Sequence, residues 1–371
     1  MPFRIYILVA KFNYRFIARS RIAKSALVLS EKFGSSDEMT EVLVNYYIGA
    51  GHIDSYQLGA KRLRRGFSSG LSSGNASTAF LCAGQWANFS TISAEIDLPS
   101  LLREMDYYLH LLELYKSELI KKFILCYRET VSTLIDKGQT TAIDAKLSYT
   151  DVSDPGRDPG TGNKLLEMFY FHQVFRNYWI GYSERCHHYA TKFFTVSKPG
   201  HFRIYVIKFY HGKKLYSYTT CAFWNDFYTR VSLILSSFHY AGLNSIDKIR
   251  KQANYNKMKE VNEIIAAMKV AASHAESNFR NKLELLEAEQ YGITGRRDLA
   301  LHTYDTAIAS AQKANFIHEQ GLACEKAGFY CKRMKYNEKS LSYFNQAREC
   351  YEKWGSTVKV EFIQKELSKL M

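Results

Sequence analysis

Ala300, Tyr304 and Ala307 recur forty residues later as Ser340, Phe344 and Ala347, and the same register carries Ala288 onto Gly328. Small residues let two helices approach closely, and an aromatic one turn away fills the space between them, as a stacked helix-turn-helix repeat requires. From Gly200 to Met371 there is no proline, so nothing in that stretch forbids helix interior. The pattern points to an interaction surface built of stacked helices rather than to a reaction centre.

Turn signals divide the rest of the chain. Gly34–Asp37 (GSSD) separates two apolar-periodic stretches, and Gly51–Asp54 (GHID) ends one helix while Asp54 or Ser55 caps the next. Ser68 to Ser77 reads as a flexible Ser/Gly connection. Leu101 to Lys137 lacks glycine and proline and keeps apolar residues three to four apart, so it reads as one long helix or two abutting ones. Asp151–Asn163 (DVSDPGRDPGTGN) holds two prolines and three glycines, the strongest breaker in the chain. It is expected to link N-terminal helical repeats over residues 1–150 to C-terminal repeats over 164–371. Lys198-Pro199-Gly200 reads as the turn of a helical hairpin, with a strand over Phe202–Val206 left open. Ser273–Asn278 is a cap-forming interval between two helices. Two hairpins follow: Lys282–Tyr291 with Leu299–Lys313, then Glu319–Met334 with Ser340–Trp354, which Gly355 stops.

Bulk composition narrows the classes. A chain of 371 residues with 46% hydrophobic and 15% aromatic content can bury a large core and is not a disordered sequence. A formal charge of +14 favours an acidic partner: nucleic acid, anionic membrane or an acidic protein face. Seven of the basic residues lie in the first 35 positions against one acid, and Lys61, Arg62, Arg64 and Arg65 form a second cluster. The seven cysteines are scattered without a Cys-x-x-Cys pair, which reads as reduced thiols in a cytoplasmic protein. The apolar run Ile5–Ala10 is too short to span a membrane, and no signal-peptide pattern follows it.

Several segments together resemble the helical-repeat region of very large multidomain signalling proteins. They are Lys282–Gln290 (KLELLEAEQ), Tyr304–Gln312 (YDTAIASAQ), Phe316-Ile317-His318 and Tyr351–Gly355 (YEKWG) with Lys359-Val360. In those proteins a Ser/Thr-kinase-like domain and an AAA-type NTPase precede a tetratricopeptide-like array, and GAF and histidine-kinase domains follow it. The resemblance is densest over residues 278–360. It implies an all-α, tetratricopeptide-like α-solenoid of stacked helical hairpins, with pairs at 282–313 and 319–354, a regulatory or scaffolding role, and no catalysis or cofactor of its own. The matching positions Leu286, Ala288, Glu289, Tyr304, Ala307, Ala311, Glu325, Trp354 and Gly355 are packing or helix-terminating residues. Tyr291, Ala300, Gly328, Phe344 and Ala347 complete the expected packing set. Ser356-Thr357-Val358 and Lys326 depart from the pattern, and no kinase, NTPase or GAF domain accompanies the array in these residues.

No chemical motif competes with that reading. Gly156–Lys164 is glycine-rich, but its lysine does not follow a Gly and precede Ser or Thr as a phosphate-binding loop requires. Cys186, His187 and His188 are adjacent, with His172, His201 and His211 not far off. Neighbours on a helix point about 100° apart and cannot chelate together, so no metal site is expected. Glu284, Glu287 and Glu289 read as solvated positions on an amphipathic helix, one of them bonding a neighbouring helix. Phe169, Tyr170, Phe171, Phe175, Tyr178, Trp179 and Tyr182, with Arg176 interleaved, would suit base stacking, or more simply the wedge between solenoid helices.

The chain is therefore expected to bind a protein partner, a kinase or signalling NTPase, in a concave groove lined by the first helix of each repeat. Lys282, Gln290 and Lys332 are the candidate contacts. A basic nucleic-acid binder is the alternative, and the sequence assigns no oligomeric state. Lys332→Glu is expected to weaken partner binding at unchanged helix content, measured by affinity titration beside circular dichroism; equal affinity would remove Lys332 from the contact.

Overall fold

The computed structural model describes residues 16–33, 36–49, 54–136, 159–196, 258–370 and most of 239–250. The helices are α1 (Phe16–Phe33), α2 (Ser36–Gly49), α3 (Tyr56–Ser72), α4 (Ala76–Ser93), α5 (Leu98–Leu114), α6 (Glu118–Ile135) and α7 (Pro159–Trp179). After them come α8 (Ser183–Val196), α9 (Met258–His274), α10 (Glu276–Ile293), α11 (Arg297–Lys313), α12 (Ile317–Arg333), α13 (Asn337–Trp354) and α14 (Thr357–Leu367). The described residues between 239 and 250 are also helical, and no strand occurs among the described residues. The fold is an all-α stack of helical hairpins: α3 packs on α4, α5 on α6, α7 on α8, α10 on α11 and α12 on α13. The hairpin turn expected at 198–200, with its strand alternative, lies outside the described residues.

One turn design closes hairpin after hairpin. In six turns a residue with left-handed backbone follows the helix: Lys116, Gly181, Gly295, Asn315, Lys335 and Gly355, with φ between 56° and 84°. The next N–H donates to the carbonyl five residues back, as in Ser117 to Leu112, Tyr182 to Asn177, Arg296 to Tyr291, Phe316 to Ala311, Tyr336 to Cys331 and Ser356 to Tyr351, at 2.8–3.0 Å. This six-to-one bond is the Schellman closure, and it satisfies a carbonyl that the helix end leaves open. Residues 295, 315, 335 and 355 recur every twenty positions. The forty-residue repeat is thus two helix-plus-turn units of twenty.

The small residues of the repeat sit where helices touch. Ala288, Ala300, Tyr304, Ala307, Ala311, Phe344 and Ala347 have no exposed surface, and Leu286 and Trp354 are equally enclosed. Tyr291 is half-buried against the same core. A Cβ on Gly328 would lie 2.8 Å from the Phe344 ring, and Ser340 Oγ donates to the Gly328 carbonyl at 3.0 Å. The same physics corrects the expected flexible connection at Ser68–Ser77. α3 runs on to Ser72 and α4 starts at Ala76, because Gly66 and Gly70 lie against Cys82 and Ala79 at distances no side chain would permit. Close packing, not mobility, accounts for those glycines.

The expected linker also needs revision at its end, since α7 already starts at Pro159; proline is tolerated in a first turn, where its missing N–H has no partner to lose. Residues on the two sides of that segment share one hydrophobic core. Asn278 on α10 donates from Nδ2 to the Asp54 carbonyl at 2.7 Å and accepts the Tyr56 N–H at 3.2 Å, so it holds the start of α3. The Tyr56 ring meets Phe89, Phe279 and Phe316. Gln57 Nε2 donates to the Ala314 carbonyl, and Ser356 Oγ donates to the Leu134 carbonyl at 2.7 Å.

Gly328→Ala is expected to destabilise the protein by about 1–3 kcal/mol through overpacking, although alanine favours helix. Gly84→Ala, whose Cβ would meet only Ile120 at 3.4 Å, is expected to stabilise it by about 0.5–1 kcal/mol. Urea unfolding of both variants checks the contrast, and a matching sign in the two would sink the packing argument.

Candidate functional site

Lys282 was expected on an exposed groove; instead it is enclosed, with 1% of its surface open. The N-terminal hairpins cover this face of α10, and Asn278, one turn earlier, is the residue that docks Tyr56. The Lys282 ammonium donates to the Asn278 carbonyl at 3.2 Å, lies 4.0 Å from the centre of the Phe316 ring and faces Glu319 at 3.6 Å. Glu319 also accepts the Tyr240 hydroxyl at 2.7 Å, and its other oxygen lies 3.2 Å from His239 Nε2. Burial alone would raise the Glu319 pKa, but the Lys282 charge and His239 outweigh it and hold the carboxyl well below the usual range. An ionised carboxylate only accepts, so His239, whose pKa burial lowers, donates from Nε2 as a neutral ring. This cluster ties α10, α12 and the 239–250 segment together inside the core.

Two more buried glutamates follow the same rule. Glu289 of α10 accepts the Tyr304 hydroxyl and, at 2.7 Å, the Arg250 guanidinium. Glu325 of α12 accepts the Tyr351 hydroxyl at 2.7 Å and the Lys359 ammonium at 2.6 Å. Of the three glutamates on one helix singled out in the sequence, two bond a neighbouring helix, Glu289 to Tyr304 of α11 and Glu287 to Lys269 of α9, and Glu284, expected in solvent, is buried beside Arg280.

The remaining candidates separate. Gln290 donates to Asn262 of α9, and Lys332 pairs with Glu366 of α14 at 2.9 Å, so the three expected contacts form no common surface. The aromatic and arginine pattern of α7 is largely internal: Phe171, Phe175 and Trp179 are buried, and Arg176 donates to Glu129 and Gln173, while Tyr182, past the helix end, is exposed. His172 is enclosed against Thr130 at 3.1 Å and the Tyr127 ring, and Cys186 is buried. His201 and His211 lie outside the described residues. Among the described residues no three His, Cys, Asp or Glu side chains come together as metal ligands would.

An open cleft of about 620 Å³ is the accessible feature that sequence reasoning missed. α12 lines it with Glu325, Lys326, Phe329 and Arg333, α14 with Val358, Lys359, Phe362 and Glu366, and the end of α7 and residues 244–250 close its far side. Phe329 and Phe362 touch on its wall, with ring centres 6.0 Å apart. Lys359 lies over Trp179, Tyr351 and Phe362, and Lys326 over Tyr178. Lys326 pairs with Asp247 at 2.7 Å, and Arg250 with the same carboxylate at 2.9 Å. The spacing of Lys326, Phe329 and Arg333, at i, i+3 and i+7 on one helix face, was legible as a stripe. That α14 and the 239–250 segment would meet it was not. No protein-family model matches the chain, and no curated protein matches it.

Burial holds His172 and His318 at a pKa of about 3, below the ordinary 6.5. The unfolded chain takes up protons on these rings below pH 6.5 while the folded chain does so only near 3, so stability is intact above 6.5 and is lost between the two values. Between about pH 7.5 and about pH 5.5 the two groups together are expected to lower unfolding free energy by about 3 kcal/mol. Urea titrations at the two pH values check this, and His172→Phe is expected to remove about half of the difference.

Proposed function

We propose that this chain is a non-catalytic helical-repeat scaffold that binds another protein in the cleft between α12 and α14. The observation that carries the reading is the cleft itself: its volume suits a docked segment, and it presents the Phe329 and Phe362 rings to an incoming ligand, with Phe362 40% exposed. The resemblance over residues 278–360 supports a place in a signalling assembly, with a kinase or signalling NTPase as partner. Cys82, Cys126, Cys324, Cys331 and Cys350 are buried free thiols, which supports a reducing, cytoplasmic setting. No helix among the described residues is long and apolar enough to cross a membrane.

The net charge of +14 favours one other reading, a nucleic-acid binder. Against it, the cations of the second basic cluster are partly engaged: Arg62 pairs with Glu31 and Asp54, and Arg64 with Glu95 and Glu104. The test is a tagged pull-down from native extract at physiological salt, with and without nuclease, using the full chain and Phe362→Glu. A protein recovered near stoichiometry, resistant to nuclease and lost from the variant at unchanged circular dichroism is the expected result. Recovery that vanishes with nuclease transfers the function to nucleic acid, and equal recovery by the variant removes the cleft from the interaction.

A further inference from the structure

Each carboxylate that lines the cleft is held by at least one cation. Asp247 is held by Lys326 and Arg250, Glu325 by Lys359, and Glu366 by Lys332 and Lys369 from outside the cleft. Arg250 in turn reaches the buried Glu289. Arg333 alone among the lining cations has no carboxylate within ion-pair distance among the described residues; its guanidinium lies 5.8 Å from the centre of the Tyr330 ring. Its own partial burial and the neighbouring Arg250 charge weaken its hold on the proton, as expected of a cation that lacks a counter-charge.

A second group in the cleft also lacks a partner. The Tyr178 hydroxyl is shielded from solvent and makes no hydrogen bond. Burial, then the charges of Asp247 and Glu325, push its pKa far up, so it remains a donor. Tyr178 contacts Lys326, which precedes Arg333 by seven residues on α12. At 1.5 Å of rise per residue that separation is about 10 Å, the length of three extended residues. Phe329 stands between them, with Phe362 against it.

We propose that the cleft recognises a short acidic peptide segment of a partner protein, whose Asp or Glu carboxylate pairs with Arg333 and whose adjacent apolar side chain packs on the exposed face of Phe362. This rests on the scaffold reading above and names the chemistry of its ligand. Arg333, the lining cation that no carboxylate holds, pairs with one anionic group. A phosphate monoester carries about −1.5 to −2 at neutral pH, and its additional charge would sit among Asp247, Glu325 and Glu366.

The probe set is 3-phenylpropionate, its neutral amide and phenyl phosphate, observed by saturation-transfer NMR on the full chain. The carboxylate is expected to bind about tenfold better than the amide and better than the phosphate, as one charge-assisted hydrogen-bonded pair predicts. Arg333→Gln is expected to abolish the preference for carboxylate over amide, Arg333→Lys to retain part of it, and Phe362→Ala to weaken both ligands alike. Equal binding of carboxylate and amide, a preference for phosphate, or an unchanged Arg333→Gln variant overturns the proposal. Failure here beside successful, Phe362-dependent protein capture would leave the scaffold reading standing. A carboxylate preference without capture would keep the subsite and end that reading.

Discussion

An α-helix ends with carbonyls that have lost their donors, and this chain meets that requirement with one device used again and again. A left-handed residue reverses the backbone and the next N–H reaches back to close the last turn. The turn has fixed length, so successive helices start at a fixed interval, and over the last four turns that interval is twenty residues. Regular spacing brings the same faces together in every hairpin. Alanine and glycine can then meet tyrosine and phenylalanine in each one, and the core follows from the cadence.

Apolar packing of this kind has little directional preference, and the buried glutamates add it. Glu289, Glu319 and Glu325 are each enclosed, and each accepts from a tyrosine hydroxyl and from a cation supplied by a different element. A shift of one helical turn would strand a charge in the core at several kcal/mol, which penalises any other register. The N-terminal hairpins complete the arrangement by covering the face of α10 that an open array would leave for a ligand. An accessible concavity lies instead between α12 and α14.

Much of this was legible in the sequence, and the failures have specific causes. The forty-residue register of small and aromatic residues located both C-terminal hairpins, since packing residues repeat when the backbone does. The turns were half visible: Gly295 and Gly355 carry the usual signal for a left-handed residue, whereas Lys335 and Lys116 take that conformation with side chains that give none. Gly70 read as flexibility because its reason, the nearness of Ala79, belongs to another helix. Lys282 read as exposed because charge is ordinarily a surface property, and Glu319, thirty-seven residues on, is what makes its burial tolerable. Of the cleft only the Lys326, Phe329 and Arg333 face lies within one stretch of sequence, and its other walls come from stretches separated by other helices.

The contacts that join Asn278 to Asp54 and Tyr56, and Ser356 to Leu134, bridge 222 to 224 residues of chain. In an open array each repeat touches only its neighbours, so folding can nucleate anywhere and the ends can fray separately. Here the first hairpins seal the last ones, and α3 cannot leave α10 without exposing the aromatic cluster around Tyr56. Long loop closures must precede those contacts, which places the protein among slow folders for an all-helical chain and makes its unfolding a concerted event.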